Sequence, residues 1–405
     1  MPVRLINVSN RLPVTVAGDG GVRKSSGGLV AALDGLPKEE FEIVWFGWPG
    51  RDVATEDQPK VRQALERDSG CSPVFLPKDL ADAHYEGMSN SSIWPLLHYM
   101  PSRFRYDPAW WDAYERVNRM FADAVLAAAK DGDVVWVHDY QLMLLPKLLK
   151  DANPSLRVGF FLHTPFPSYE VFRVHPHREA LVDGVLGADL AGFHTFNYLR
   201  HFRSCALRLL GVETDVTTAR HDGRATAMGV YPIGINAPKF EAELGSAEFA
   251  AEFARLRDSY RGAQVVLSVE RLDYTKGIVQ RLDAIERFLE SCECPEGVRF
   301  VFVAVPSREG VEAYKALREE IEYRVGRMNG RFATLHASPV QFIYGSVKFH
   351  ELCGLYVLAD VAIVTPLMDG MNLVAKEYVA CQPDADVPGD ENGPGVLVLS
   401  EFAGA

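Results

Sequence analysis

Short apolar runs alternate with amphipathic helical stretches along the whole chain, and this pattern constrains the fold more than any other feature. The runs are continuous in Val, Ile, Leu and Phe, which is typical of parallel strands covered by helices on both faces. Helical stretches such as 111–129 and 310–330 lie between them. The runs span residues 3–10, 42–48, 133–140, 157–164, 188–195, 264–271, 299–306, 361–366 and 395–401.

The alternation occurs twice, with a break near VYPIGINAPKF (230–240). A chain of 405 residues is also too long for one ordinary core. We therefore predict an α/β fold with two doubly wound, Rossmann-like domains facing a cleft, over residues 1–235 and 236–405. In such sheets ligands bind at the carboxyl ends of the strands. We expect the second domain to continue past residue 405, because no helix follows the last strand-like run.

The net charge of −12 provides no basic surface for nucleic acid, so we expect no such partner. No apolar run is long enough to cross a membrane, and the first residues lack the features of a signal peptide. The six cysteines form no C-x-x-C pair and are expected to be reduced, which favours a cytoplasmic protein. Cys292 and Cys294 have no further ligands at zinc spacing, so we predict no metal site. Assembly into a homo-oligomer is compatible with the sequence.

Two cations lie at one strand–helix junction in SVERLDYTKGI. Arg271 ends an apolar strand, and Lys276 opens the next helix. Together with Arg308 of VPSRE they would form a cationic cluster suited to a diphosphate, because arginine binds such oxygens in pairs and lysine acts as a point charge. The alternative is a surface salt bridge from either cation to Glu270 or Asp273.

A second strand–helix junction lies in TPLMDGMNLVAKEY. A helix that begins after a parallel strand offers free backbone N–H groups to an anionic ligand, which would place Asp369 and Glu377 beside a sugar nucleotide. The alternative is a simple turn, in which Asp369 starts it, Gly370 allows a positive φ, and Lys376 and Glu377 face water.

Polar residues also end two strands of the first domain, in HDYQL and FLHTPFP. Asp139 and His163 would project from these ends into a ligand site. A single histidine at a strand end is more often structural, but two such strands favour the site. Tyr85 and Trp94 lie in an aromatic and polar segment without a strand period, where they belong either to the core or to the floor of a sugar site.

Arg11 follows the first strand, and a double glycine, Gly27 and Gly28, precedes a helix. The glycines would let the backbone approach a phosphate, although such a pair is more often a turn. The segment is not G-x-G-x-x-G, which disfavours a dinucleotide site. Asp384 and Asp386 superficially resemble the D-x-D metal signature, but their Pro-rich loop favours solvated side chains.

Taken in order, these stretches resemble the trehalose-6-phosphate synthases, the retaining glycosyltransferases of family 20. The resemblance covers essentially the whole chain. It implies the GT-B fold and transfer of glucose, with retention, from a nucleoside-diphosphate glucose, expected to be UDP-glucose, to glucose 6-phosphate. It implies no cofactor and no metal. The motifs that carry it are SNR, GGL, WFGWPG, HDYQL, HTPFP, GADLAGFHT, PIGI, ERLDYTKG, AVPSR and DGMNLVAKE.

The resemblance also implies roles for single residues. Asp369 would contact the donor glucose, Glu377 the ribose, and Arg271 with Lys276 would neutralise the diphosphate. The implied catalytic residues are Arg271, Lys276, Asp139, His163 and Asp369. The implied donor contacts are Gly27, Gly28, His163, Arg271, Lys276, Asp369, Gly370, Met371, Asn372, Leu373, Val374 and Glu377. The implied acceptor contacts are Arg11, Trp48, Tyr85, Trp94, Asp139 and Arg308, with Arg11, Tyr85, Trp94 and Arg308 holding the phosphate.

Three other functions compete with this expectation. Another synthase of the family, such as a glucosylglycerol-phosphate synthase, would use a different phosphorylated acceptor. A non-catalytic homologue would sense sugar phosphates, although a complete donor site argues against it. A Rossmann oxidoreductase would need the glycine fingerprint that the chain lacks.

The resemblance also implies a mechanism. Members of family 20 are thought to react on one face of the sugar, with the leaving phosphate taking the proton of the attacking hydroxyl.

Overall fold

The computed structural model describes residues 2–16, 22–24, 37, 39–292, 295–308, 310–382 and 393–405. The chain divides into two compact units, Met1–Ile233 (unit 1) and Gly234–Ala405 (unit 2). The predicted division after residue 235 falls in the irregular segment that follows this point. Each unit has its own sheet and its own buried core, and each is described by itself.

Unit 1 is built on an eight-stranded sheet with the order β5-β4-β1-β6-β7-β8-β10-β9. All neighbours are parallel except the terminal pair, β9 and β10. A separate antiparallel pair consists of β2 and β3. The strands are β1 (Val3–Arg11), β2 (Val14–Val16), β3 (Val22–Lys24), β4 (Phe41–Trp48), β5 (Cys71–Pro73), β6 (Val134–His138), β7 (Arg157–Leu162), β8 (Leu190–Phe193), β9 (Thr218–His221) and β10 (Arg224–Val230).

Helices lie between the parallel strands of the main sheet, because parallel neighbours need a crossover connection. Among the residues that the structure describes, the α-helices of unit 1 are α1 (Gln58–Ser69), α2 (Lys78–Asp82), α3 (Trp94–Leu97), α4 (Pro108–Ala128), α5 (Leu145–Ala152), α6 (Tyr169–Phe172), α7 (Arg178–Leu186) and α8 (Phe196–Leu210). A π-helix covers Ala83–Ile93, and 3₁₀ turns cover Pro101–Arg103 and Tyr140–Leu142.

The central strands of unit 1 are mainly apolar because both faces of the sheet are covered. In β1, Ile6 and Val8 have no exposed surface, and neither has Asn7 between them. The polar Asn7 is thus buried at the centre of the sheet. Fully buried aromatic rings complete the core: Phe121, Phe160, Phe166, Phe193 and Phe202.

Unit 2 contains a five-stranded, wholly parallel sheet with the order β13-β12-β11-β14-β15. The strands are β11 (Gln264–Arg271), β12 (Val298–Val305), β13 (Val340–Tyr344), β14 (Val361–Val364) and β15 (Val396–Leu399). The α-helices are α9 (Ala237–Leu244), α10 (Ala247–Ser259), α11 (Ile278–Ser291), α12 (Glu312–Phe332), α13 (Phe349–Leu358) and α14 (Leu373–Ala380). The 3₁₀ turns are Tyr274–Lys276, Pro295–Gly297 and Glu401–Ala403.

The core of unit 2 lies between β11, β12 and β14 on one side and α13 and α14 on the other. Val265, Leu267, Val301, Val303 and Tyr356 belong to this buried cluster. The alternation of central parallel strands with covering helices confirms the predicted α/β class. Each predicted apolar run contains a strand, and the two predicted helical stretches correspond to α4 and α12.

The sequence prediction omitted several strands: β2, β3, β5, β9, β10 and β13. Most are short or lie at the edge of a sheet, where one face stays accessible and no continuous apolar run is needed. Within the described part of the chain, no helix combines the length and the apolar character needed to cross a membrane. Five cysteines in this part are free thiols: Cys71, Cys205, Cys292, Cys353 and Cys381.

Candidate active site

At the carboxyl edge of the unit 1 sheet, Arg11 is held between two aromatic rings. Arg11 ends β1, and Trp48 ends the neighbouring β4 at the paired position. The Arg11 guanidinium carbon lies 5.0 Å from the Trp48 ring centroid and 5.0 Å from that of Tyr85. Such cation–π contacts occupy the faces of the guanidinium and leave its N–H edge for a ligand. Arg11 itself is exposed.

Tyr85 belongs to the π-helix Ala83–Ile93, and Trp94 follows that helix directly. Tyr85 is half-buried, whereas Trp94 is buried. The Trp94 ring packs on Tyr140 at 5.5 Å and on His98 at 3.8 Å between centroids. A π-helix follows neither the period of an α-helix nor that of a strand, so the sequence pattern of this segment indicated neither element.

Asp139 and His163 follow β6 and β7 and lie side by side. The backbone N–H of His163 donates to Asp139 Oδ1 at 3.2 Å. Asp139 adopts φ +73°, in the left-handed region that non-glycine residues rarely occupy. Strain of this kind is kept where the surrounding structure fixes it, often at functional sites. Both residues are half-buried.

Three successive strands of unit 1, β6, β7 and β8, are each completed by a histidine: His138, His163 and His194. The centroids of the His138 and His163 rings lie 5.2 Å apart, and those of His163 and His194 lie 5.6 Å apart. Burial lowers the pKa of His138 to about 3. Burial, then the charges of His138 and His194, lower the pKa of His163 well below its usual value. Of these three histidines, only His163 was predicted as a site residue, although all three lie at the ends of apolar runs in the sequence.

In unit 2, Lys276 and Asp369 form a buried ion pair at 2.5 Å between Nζ and Oδ2. Asp369 follows β14, and Lys276 follows the neighbouring β11. Asp369 Oδ2 also accepts from Asn372 Nδ2 at 3.1 Å, and Oδ1 accepts from the Gly370 N–H at 3.0 Å. The structure therefore joins two predicted donor-site residues that are far apart in sequence, and it orients the carboxylate with three donors.

The predicted cations of this junction have different surroundings. Arg271 is exposed and forms no ion pair with any residue in the described ranges. The Arg308 side chain is buried and pairs with Asp273, while its Nη1 donates to the Tyr314 hydroxyl at 2.7 Å. Asp273 Oδ1 in turn accepts from the Thr275 N–H at 2.9 Å. The alternative salt bridge from Arg271 or Lys276 to Asp273 is therefore not formed: Asp273 pairs with Arg308, and Lys276 pairs with Asp369.

Glu270, the other carboxylate that we considered, pairs with Arg281, a residue absent from the sequence analysis. Arg281 Nη1 lies 2.5 Å from Glu270 Oε1, and both side chains are buried. Arg281 Nη2 also donates to the carbonyl of Lys276 at 3.0 Å. Arg281 thus supports the segment that carries Lys276. Its helical position in an amphipathic segment resembles a solvated face, so the sequence provided no signal for this role.

The helix α14 begins at Leu373, and Asn372 caps it by accepting from the Ala375 N–H at 3.0 Å. The cap leaves the N–H groups of Leu373 and Val374, in the first turn, without intrahelical carbonyl partners. Glu377 is half-buried and accepts from the Tyr356 hydroxyl at 2.8 Å. Burial raises the pKa of Glu377, and the hydrogen bond from Tyr356 opposes that shift. The bond to Tyr356 does not fit a side chain that simply faces water.

Gly27 and Gly28 lie outside the described residues, as do Asp384 and Asp386. Among the residues that are described, Asp183, His221 and Asp222 bring their ligand atoms within 4.8 Å of one another. The Lys147 ammonium lies 3.9 Å from Asp183 and 4.0 Å from Asp222. The Lys147 cation and the His221–Asp183 contact at 3.0 Å make this cluster an ion-pair network at the surface, and we assign no metal to it.

Comparison with known proteins gives the family of the chain. Residues 3–405 match the family model described as glycosyltransferase family 20. A UDP-forming alpha,alpha-trehalose-phosphate synthase of Aspergillus niger is 46% identical over 414 residues, covering 99% of this chain and 84% of that protein. A UDP-forming synthase of Burkholderia xenovorans, solved with glucose-6-phosphate, is 32% identical with a TM-score of 0.86, covering 100% of this chain and 86% of that one.

A third similarity is to an E. coli structure described as trehalose-6-phosphate bound with UDP-2-fluoro glucose. Its sequence is 33% identical to this one, its TM-score is 0.86, and the match covers 99% of this chain and 85% of that one. The family model spans almost the whole chain, and the relatives match it over almost the same length. The chain belongs to glycosyltransferase family 20.

Proposed function

We propose that the chain transfers glucose from UDP-glucose to glucose 6-phosphate with retention, forming α,α-trehalose 6-phosphate and UDP. The buried Lys276–Asp369 pair carries this proposal, because it supplies a cation for a diphosphate and a fixed carboxylate for a sugar at one strand edge. The names of the relatives support the same reaction. We further propose a cytoplasmic location, consistent with the free cysteines of the described residues.

In the donor half of the proposal, unit 2 binds UDP-glucose. Arg271 and Lys276 neutralise the diphosphate, and Asp369 accepts hydrogen bonds from hydroxyls of the donor glucose. The open N–H groups at the start of α14 suit phosphate and sugar oxygens, since a helix N-terminus favours negative charge. Glu377 accepts from the ribose hydroxyls. Because burial raises the pKa of Glu377, this carboxylate becomes protonated at a higher pH than an ordinary glutamate as the pH falls. The protonated acid accepts hydrogen bonds poorly, so the contact with the ribose weakens there.

In the acceptor half, unit 1 binds glucose 6-phosphate. The Arg11 guanidinium is already oriented by Trp48 and Tyr85, so little side-chain freedom is lost when it binds the phosphate. The Trp48 indole N–H is buried and has no partner among the described residues, which makes it a further available donor. We propose that Asp139 contacts the acceptor sugar, whereas the phosphate contact expected of Arg308, a unit 2 residue whose guanidinium Asp273 holds, stays a prediction.

The chemical step breaks the bond between C1 of the donor glucose and the β-phosphate oxygen of UDP. A new bond forms from the same face between C1 and the anomeric oxygen of the acceptor. The proton of that hydroxyl passes to the departing phosphate oxygen, so the atoms and charges balance without a protein nucleophile. Arg271 and Lys276 stabilise the charge that develops on UDP, and this role replaces a metal ion in the proposal.

The test is an assay of UDP release and disaccharide phosphate formation from UDP-glucose and glucose 6-phosphate, in the presence of EDTA. We expect turnover to persist in EDTA and to need the phosphorylated acceptor. Parallel reactions replace the donor with GDP- or ADP-glucose and the acceptor with glucose or glycerol 3-phosphate. Faster reaction with glycerol 3-phosphate would support a glucosylglycerol-phosphate synthase. If the protein binds glucose 6-phosphate but transfers no glucose, the result would support a sensor. A strict need for added Mg²⁺ would overturn the metal-free mechanism.

A further inference from the structure

Asn7, His138 and His163 form a chain of hydrogen bonds across three neighbouring strands of unit 1. His138 Nε2 lies 2.5 Å from Asn7 Oδ1, and His138 Nδ1 lies 3.0 Å from His163 Nε2. Asn7 and His138 are buried, and His163 is half-buried. The first two members therefore have no route to a ligand except through the third.

The donors in this chain follow from counting protons. The Asn7 oxygen can only accept, so His138 must carry its proton on Nε2 and donate to it. A neutral imidazole has one proton, which leaves His138 Nδ1 as an acceptor. His163 Nε2 must then carry the proton that His138 accepts. His163 is left with Nδ1 as an acceptor that faces away from the chain.

This count requires both imidazoles to be neutral. Burial lowers the pKa of His138 to about 3, and burial with the neighbouring histidines lowers that of His163 well below its usual value. The groups that face the pair are the Trp136 ring, with its centroid 4.6 Å from that of His138, the His194 ring, and Asp139, which accepts from the His163 backbone. Neither imidazole is therefore doubly protonated near neutral pH.

We propose that Asn7 and His138 are positioning residues that hold His163 in its Nε2–H tautomer, so that His163 presents Nδ1 as an acceptor to a hydroxyl of a sugar bound at this edge of the unit 1 sheet. The inference rests on the proposed function for the identity of the sugar. It assigns the histidine nitrogen that meets the substrate, because Nε2 is engaged within the protein. A hydroxyl bound at Nδ1 must donate, and its own oxygen then stays available to a second donor.

The orientation of the Asn7 amide decides the direction of the chain. Asn7 Nδ2 has no partner among the described residues, so turning the amide over would leave its oxygen unpaired instead. It would also reverse every donor and give His163 the opposite tautomer. The experiment must therefore locate the protons directly and must include a side chain that can accept but cannot donate.

The first measurement is the tautomer of His163 in the unmodified protein. We would label histidine with ¹⁵N, deuterate the other positions, and correlate ring nitrogens with ring protons by NMR; His163→Gln and His138→Gln identify the two rings by their missing signals. We expect Nε2–H and bare Nδ1 in both rings. Nδ1–H in His163 would overturn the proposal. Because no substrate is present, this result does not depend on the transferase reaction.

The second measurement is the pH profile of kcat for Asn7→Asp. A carboxylate at this position accepts from His138 Nε2 and raises the pKa of His138. Above that raised pKa the chain keeps its direction, so we expect activity to persist. Below it, the His138 cation donates from Nδ1 and forces His163 into the other tautomer. We expect kcat to fall there by about three- to tenfold, the effect of one hydrogen bond.

The matched control is Asn10→Asp, because Asn10 Oδ1 bonds His84 Nε2 at 3.1 Å in a second buried Asn–His pair of the same unit. His84 bonds no other histidine among the described residues, so we expect a profile of kcat with the wild-type shape. Asn7→Leu removes the acceptor and should lower kcat at every pH without changing KM for glucose 6-phosphate. An Asn7→Asp profile that superposes on the wild type would overturn the proposal, whereas an inactive wild-type enzyme would overturn the proposed function alone.

Discussion

Arg271 and Lys276 lie in the same strand–helix junction, yet their side chains differ in what they hold. Lys276 is buried against Asp369, so its charge serves both the fold and the site. Arg271 is exposed, and no ion pair among the described residues holds it. An arginine side chain, with three flexible methylene groups, that forms no ion pair at a polar strand edge contributes little to stability. We therefore attribute the presence of Arg271 to a ligand.

This difference predicts separable effects of two substitutions. Arg271→Ala should lower kcat by about a hundredfold or more, as loss of a preorganised charge contact does, with no change in melting temperature. Lys276→Ala should lower kcat similarly and also lower the melting temperature, because Asp369 would keep its charge without a cation. Steady-state kinetics and differential scanning calorimetry measure both. Arg287→Ala, an exposed arginine of α11, is the control; if Arg271→Ala turns over as fast as this control, Arg271 has no catalytic role.

At the scale of elements, the junction between β11 and α11 depends on Gly277. The residue adopts φ +69°, and a Cβ there would lie 2.5 Å from the carbonyl oxygen of Thr365, which follows β14. Leu367 N–H also donates to the carbonyl of Thr275 at 2.8 Å, so the two junction loops are bonded to each other. The close approach of these backbones brings Lys276 to Asp369.

Gly277→Ala should therefore destabilise unit 2 by about 2 kcal/mol or more, from the left-handed backbone and the backbone contact together. It should also reduce affinity for UDP, because the loops separate. Gly326→Ala is the matched control: Gly326 lies within α12 with no atom within 4 Å of its Cβ position, and alanine should be neutral or slightly stabilising there. Urea unfolding and UDP titration provide the readouts. Equal stability of the two variants would show that the junction tolerates the shift.

The sequence predicts elements better than it predicts the partners within the site. Buried central strands need apolar residues on both faces, so their runs are conspicuous; β13 lies at an edge with half-exposed residues, so its run is not. The Lys276–Asp369 pair depends on β11 and β14 being neighbours, which periodicity does not encode. Arg308 was expected in an open cationic cluster, but Asp273 holds it. Opposite charges distant in sequence cannot be paired without the strand order.

For the whole molecule, the relevant contrast is between a net charge of −12 and substrates that are themselves anions. The net charge gives such substrates no overall attraction to the chain, so we expect binding to depend on local cations and oriented N–H groups. The proposal places one set in each unit: Arg11 in unit 1, and Arg271 with Lys276 in unit 2. The assignment of one substrate to each unit can therefore be tested by measuring which residues each ligand protects from hydrogen exchange.

We expect hydrogen exchange, read peptide by peptide with mass spectrometry, to separate the two sites. UDP alone should slow exchange around residues 271–277 and 369–377, because its contacts are the diphosphate and ribose residues of unit 2. Glucose 6-phosphate alone should slow exchange around Arg11 and residues 85–94 of unit 1. A ligand present at a hundred times its dissociation constant stabilises the bound state by about 2.7 kcal/mol, so opening in these segments should slow by about a hundredfold.

Two variants decide whether the protection arises from the proposed contacts. Arg11→Ala removes the guanidinium between Trp48 and Tyr85, so glucose 6-phosphate should lose its protection in unit 1 while UDP keeps its own in unit 2. Arg271→Ala should have the opposite effect, since Arg271 would bind only the diphosphate. Unphosphorylated glucose should protect neither unit at the same concentration, because the charge-assisted bonds to Arg11 need the phosphate. Protection by glucose 6-phosphate confined to residues 234–405 would contradict an acceptor site in unit 1, and the role of Arg11 would have to be abandoned.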